Sequence, residues 1–194
     1  MIKINTLKDL RRELSTLPFR GIVLFITNVN NYFRDSVYII KILVNSLKFD
    51  GIYITINKPY QNLIGLLKKN RVDTEKLFFI DCITKTVGGK PEIAENCLFI
   101  ASPQNLTELG VALSQAMEAM KGKPNKFLLL DSLSTLLIYN NAGTVARFSH
   151  FLTTKIRLSK LKGVFIIVEK EMEEKLLITL SEFCDKVIKL QIER

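Results

Sequence analysis

The stretch Lys126-Phe127-Leu128-Leu129-Leu130-Asp131-Ser132-Leu133-Ser134-Thr135-Leu136 decides how the rest of the chain reads. Its apolar run shows none of the alternation that a half-solvated strand carries, so it predicts a strand over 127–131 covered on both faces. A carboxylate, Asp131, closes the run. In sheets of this class ligands gather at the carboxyl ends of the strands, which makes Asp131 a candidate functional residue.

The same grammar extends in both directions from this strand. Upstream, Leu106, Leu109, Leu113 and Met117 recur at helical spacing, and Gly122 and Pro124 stop that helix. Before it lie the apolar runs 97–100 and 77–81, joined by a polar, Gly-containing stretch over 85–96 that reads as a hairpin-like excursion. Pro59 opens a helix carrying Leu63, Leu66 and Leu67, and the β-branched run 52–56 before it predicts another strand. A helix over about 34–47 places Val37, Ile40, Val44 and Leu47 on one face. It follows the strand run 22–26, and Leu7, Leu10, Leu14 and Leu17 mark the first helix. Downstream come a helix over about 144–160, a strand at 164–168, a helix over about 173–184 and a closing strand at 187–190. Continuous apolar strands separated by amphipathic helices predict an α/β protein, three-layered, with a mostly parallel central sheet flanked by helices.

Composition narrows the class. The chain has 194 residues, of which 47% are hydrophobic and 24% charged, enough to bury a core as one domain over 1–194 and too apolar for a disordered chain. No apolar run approaches the roughly 20 residues of a membrane span, and the N-terminus shows no signal-peptide pattern, so no membrane association and a cytoplasmic location are expected. Three widely spaced cysteines, Cys82, Cys97 and Cys184, fit reduced buried thiols. The one histidine, His150, excludes a two-imidazole mechanism and a His-rich metal site, and no metal is expected. The net charge of +9 is uneven: residues 1–70 hold 11 Lys/Arg against 4 Asp/Glu. No stretch forms a block of five or six like charges, so a solvated basic face is the default reading.

The run 126–136 resembles the Walker B strand of KaiC-like ATPases, the branch of the RecA superfamily that also contains RadA. Tyr53-Ile54-Thr55-Ile56, Phe79-Ile80-Asp81 and Phe183-Cys184-Asp185-Lys186-Val187-Ile188 fall in the matching order, so the resemblance spans nearly the whole chain. It implies a RecA-like fold, a P-loop, a magnesium-holding role for Asp131, and association between neighbouring subunits across the nucleotide crevice.

The chain departs from that pattern where chemistry would reside. A P-loop reads G-x-x-x-x-G-K-[ST], because glycines let backbone N–H groups wrap the phosphates. The matching window is Val29-Asn30-Asn31-Tyr32-Phe33-Arg34-Asp35-Ser36, of which only Ser36 agrees, and Asp35 takes the place of the lysine. Asn57 and Lys58 stand where the family carries its water-activating glutamate. These departures imply a degenerate Walker A segment and a pseudo-ATPase: an interaction or regulatory module without turnover, without a cofactor, and with a protein partner or a second copy of itself. ATP with Mg²⁺ is the disfavoured alternative, as is RadA-like nucleic-acid binding. The loops where that family binds DNA are the uncharged 139–144 and the acidic 169–175, which repel phosphate. Any such binding would use Arg11, Arg12 and Arg20. Asn28, Asn30, Asn31, Arg34 and Ser36 could instead form an anion site at a helix start, with Asp131 either vestigial or capping the following turn, and Asp35 complementing the helix dipole.

Overall fold

The strand runs build one sheet in which every pairing is parallel. The computed structural model describes residues 1–91, 93–169 and 174–192. Its strands are β1 (Ile2–Ile4), β2 (Ile22–Thr27), β3 (Asp50–Thr55), β4 (Leu77–Asp81), β5 (Cys97–Phe99), β6 (Lys126–Asp131), β7 (Lys162–Val168) and β8 (Lys186–Leu190), in the order β1-β8-β2-β7-β6-β3-β4-β5. Parallel neighbours need crossover connections, and helices supply most of them: α1 (Leu7–Ser15), α2 (Tyr32–Lys41), α3 (Tyr60–Lys69), α4 (Leu106–Ala119), α5 (Leu133–Tyr139), α6 (Ala142–Leu158) and α7 (Glu174–Glu182).

Period-two alternation divides the strands between two cores. Val23, Phe25, Tyr53, Phe79, Phe127 and Leu129 pack with α1, α2 and α3 through Leu10, Leu14, Ile39, Ile40, Leu63 and Leu67. Ile22, Leu24, Ile52, Ile54, Leu128 and Leu130 pack on the other side with α4 to α7 through Leu109, Leu113, Leu136, Leu152 and Leu180. Burial on both faces explains why the runs read as unbroken apolar stretches, and each such side chain contributes about 1.5–3 kcal/mol. Gly51 is dictated by one of these contacts, since a Cβ there would lie 2.1 Å from the Phe127 ring.

Two local expectations are corrected, and two elements are added. The 85–96 stretch is not a hairpin: β4 and β5 run parallel, with Phe79 opposite Cys97, so the chain crosses over before pairing again. The helix placed at about 34–47 begins at Tyr32 and widens into a π-helical turn over Ile42–Ser46, where the Leu47 amide reaches the Ile42 carbonyl at 2.9 Å. Two elements also appear that periodicity did not reveal, the edge strand β1 and the short helix α5. No helix is long and apolar enough to cross a membrane, among the described residues.

Candidate functional site

At the carboxyl ends of β6 and β3 the sheet holds a closed polar network. Tyr53 stands opposite Leu129, so Asp131, two residues further along β6, is its diagonal neighbour on the α1–α3 face. A long phenol covers that diagonal, and the Tyr53 hydroxyl donates to Asp131 Oδ2. The other oxygen, Oδ1, accepts from the hydroxyl of Tyr32, the first residue of α2. Tyr32 in turn accepts from Asn57 Nδ2, and Asn57 Oδ1 accepts from the Thr135 hydroxyl. Thr135 and Ser132 share a hydrogen bond of 3.0 Å, which returns the network to the residue after Asp131 across a cis peptide.

Electrostatics fix the protonation of this cluster. Burial of Asp131, which is 6% exposed, raises its pKa, while the two tyrosines and the Lys58 ammonium oppose the rise without cancelling it. Burial first, and the neighbouring carboxylate second, push both phenols far above their ordinary value, so Tyr32 and Tyr53 remain protonated donors. Lys58 stands 5.9 Å from the Tyr32 ring centre and 5.4 Å from that of Phe33, roofing the cluster with a cation over two aromatic faces. The cavity enclosed by Tyr32, Phe33, Ser36, Tyr53, Lys58 and Asp131 measures about 10 Å³. One water molecule needs at least roughly that much.

The turn between β2 and α2 is built separately. Asn28 Oδ1 accepts the Asn31 amide three residues on at 2.9 Å, closing the turn that hands the chain into α2. Asn30 is exposed, and Asn31 makes no side-chain cap. Asp35 does not serve the helix dipole at the surface. It is 1% exposed, takes a 2.5 Å bond from the Thr27 hydroxyl and pairs with Arg34 at 3.2 Å. Arg34 spends another donor on the Ile192 carbonyl at 2.6 Å, and the Ser36 hydroxyl donates to the Tyr32 carbonyl at 2.9 Å.

Of the residues singled out from sequence, Ser36 and Asp131 thus share one small cavity. Asn28 and Asn31 share one turn, and Arg34 is committed to Asp35 and the C-terminal backbone. Asp131 does not cap the following turn. Ser132 does, accepting the Thr135 amide at 3.3 Å. Tyr32, Tyr53 and Thr135 were missed, although Tyr32 sits inside the window compared with the P-loop. In the 139–144 loop, Asn141 caps α6 through the Thr144 amide at 2.9 Å. Residues 170–173 of the acidic loop lie outside the described residues.

Comparison with solved structures agrees on the fold. An uncharacterised protein from Pyrococcus horikoshii, PH0321, crystallised with an unknown peptide, superposes with a TM-score of 0.71 at 15% identity, covering 96% of this chain and 84% of that one. The KaiC-like protein PH0186 from Pyrococcus horikoshii gives 0.61 at 12% identity over 90% of this chain and 74% of that one. The flagellar accessory protein FlaH from Methanocaldococcus jannaschii gives 0.59 at 12% identity over 93% and 76%. The chain therefore has the RecA-like fold of KaiC-type proteins. No curated protein matches its sequence. The sequence profile of a family described as "Family of unknown function (DUF7504)" matches residues 65–190, more than half of the chain.

Proposed function

Because the chain belongs to the family of unknown function DUF7504, membership brings no activity with it, and we propose from the site that it is a non-hydrolysing RecA/KaiC-like domain. In this reading residues 1–194 form one domain that works as a protein-interaction or regulatory module. The observation that carries the proposal is the closure of the crevice at Asp131. Both carboxylate oxygens already accept phenol hydrogens, and the space beside them is about 10 Å³. A magnesium-bound triphosphate needs far more room than that beside the carboxylate, together with backbone N–H groups free to wrap phosphate.

The residues here do not fit that group. The β2–α2 turn has no glycine, its Asn31 amide is bonded to Asn28, and the lysine position holds Asp35, turned inward against Thr27 and Arg34. The Walker A segment is degenerate in this account, and the polar groups that a nucleotide would use hold α2 to β6 and β3 instead. What remains is an α/β scaffold that presents surfaces. That a protein of the same fold was crystallised with a peptide supports a polypeptide partner over a small-molecule substrate.

Titration calorimetry with Mg²⁺-ATP tests the proposal. The expected outcome is no heat of binding. Stoichiometric, Mg²⁺-dependent binding in the micromolar range would overturn it.

A further inference from the structure

Away from the Asp131 crevice, three of the eleven Lys/Arg of residues 1–70 gather at one opening. It is a groove of about 430 Å³ between α1 and the C-terminal end of α2, floored by Leu7, Tyr38 and Ile42 and rimmed by Lys8, Arg11 and Lys41. The two helices supply a bank each. Lys8 and Arg11 stand one helical turn apart on α1, α2 contributes Lys41, and the π-helical turn over Ile42–Ser46 carries Ser46 to the same opening.

The rim is uncompensated. Lys8, Arg11 and Lys41 are exposed and make no ion pair among the described residues, and no carboxylate lines the groove. Both carboxylates of α1 are spent elsewhere, Asp9 on Arg12 at 3.1 Å and Glu13 on Lys186 at 2.8 Å. The opening therefore combines a positive potential with apolar surface left in water, and a ligand that matches it must offer both negative charge and aliphatic area.

We propose that this groove is a docking site for an amphipathic segment of a partner protein, one that carries aliphatic side chains flanked by Asp or Glu. The aliphatic side chains cover Leu7, Tyr38 and Ile42, and the carboxylates meet the cations on the two banks. Such docking gives the interaction-module reading a surface and a partner chemistry, and it rests on that reading. Charge complementarity and the buried floor together select this occupant. A nucleic-acid backbone would satisfy the rim, but no phosphate or sugar covers the floor, and the Tyr38 ring on which a base would stack already lies under the Arg34 guanidinium at 5.8 Å. A flat anionic bilayer meets the rim and not the floor, because Ile42 is 9% exposed and is reached only by a side chain that enters the groove. A second copy of this chain would bring a net charge of +9 to a site that is already cationic.

Selection from a phage-displayed library of random peptides of about 16 residues, long enough for four helical turns, tests the site. Peptides enriched on the wild-type chain should combine aliphatic residues with Asp or Glu, and synthetic copies should bind with an affinity that falls as salt rises. K8E/R11E/K41E should weaken that binding at least about tenfold. A cationic chain attracts acidic peptides to any part of its surface, so S46W supplies the second arm: it keeps all three cations, fills the groove, and should weaken binding by a similar factor. The four altered positions are exposed, so both variants should keep the wild-type melting temperature. No enrichment, or enriched peptides that bind both variants as well as wild type, would overturn the docking site. A single-stranded oligonucleotide, a phosphatidylserine vesicle or a second copy of the chain that binds more tightly than the best peptide, and loses its binding in S46W, would overturn it in favour of that occupant. The non-hydrolysing reading fails separately, on binding of Mg²⁺-ATP, so the two failures are told apart.

Discussion

Tyr32→Phe removes one oxygen from the hub of the Asp131 network. The Tyr32 phenol donates to Asp131 Oδ1 and accepts from Asn57 Nδ2, so its loss leaves a buried carboxylate with Tyr53 as its remaining donor and an amide N–H without its acceptor. A hydrogen bond to a charged group is worth about 1.5–3 kcal/mol, and a buried donor left unpaired adds a penalty of similar size. A water could relieve part of this, but the cavity of about 10 Å³ grows only by the volume of the deleted hydroxyl. The expected loss is about 2–4 kcal/mol, read from urea unfolding followed by circular dichroism. In a double-mutant cycle with Asp131→Asn the coupling should reach about 1–2 kcal/mol, because the two groups touch. A loss below about 0.5 kcal/mol, within the ordinary range for surface substitutions, would mean that the Tyr32 hydroxyl does not hold this network together.

Further predictions concern the same crevice and its turn. Burial lifts Asp131 above its ordinary value, so on acidification the folded state takes up this proton before the unfolded chain does. The buried charge costs stability at neutral pH, and that cost disappears as pH falls toward the ordinary aspartate value. Wild type should therefore gain in melting temperature relative to Asp131→Asn as pH is lowered, and a difference that stays flat with pH would contradict the assignment. Asp35→Lys, which writes the P-loop lysine back into the sequence, should lose about 3–5 kcal/mol, since it places a second cation against Arg34 in a position that is 1% exposed. It should gain no affinity for Mg²⁺-ATP, and recovered binding with intact stability would show that the turn still cradles phosphate.

The sheet was legible because its strands are buried on both faces. Runs such as 22–26 and 127–131 have no polar alternation, and helical spacing fills the gaps between them. β1 escaped notice because only Ile4 of its three residues is buried, which leaves no pattern to read. α5 was hidden by its own composition, since Leu133 to Tyr139 continues the apolar character of β6 and its start rests on a single Ser132 cap. The 85–96 stretch has the turn residues of a hairpin, and nothing local specifies that Cys97 pairs in parallel with Phe79. Asp131 was found because a carboxylate ends an apolar strand. Its partners were not, because Tyr32 and Tyr53 lie 99 and 78 residues away in the chain and reach it only through the pairing of β3 with β6 and the entry angle of α2. Which phenol meets which carboxylate oxygen is a property of the assembled sheet, not of any window of sequence.

The crevice at Asp131 is closed by the protein's own side chains. Calorimetric titration of the purified chain with ATP and Mg²⁺, run beside light scattering of the eluting protein to fix its assembly state, addresses it most directly. A closed crevice gives no binding heat whatever the assembly state. Saturable, magnesium-dependent binding with one nucleotide per chain would contradict it, because the side chains around the cavity of about 10 Å³ would then have to move aside to admit the metal.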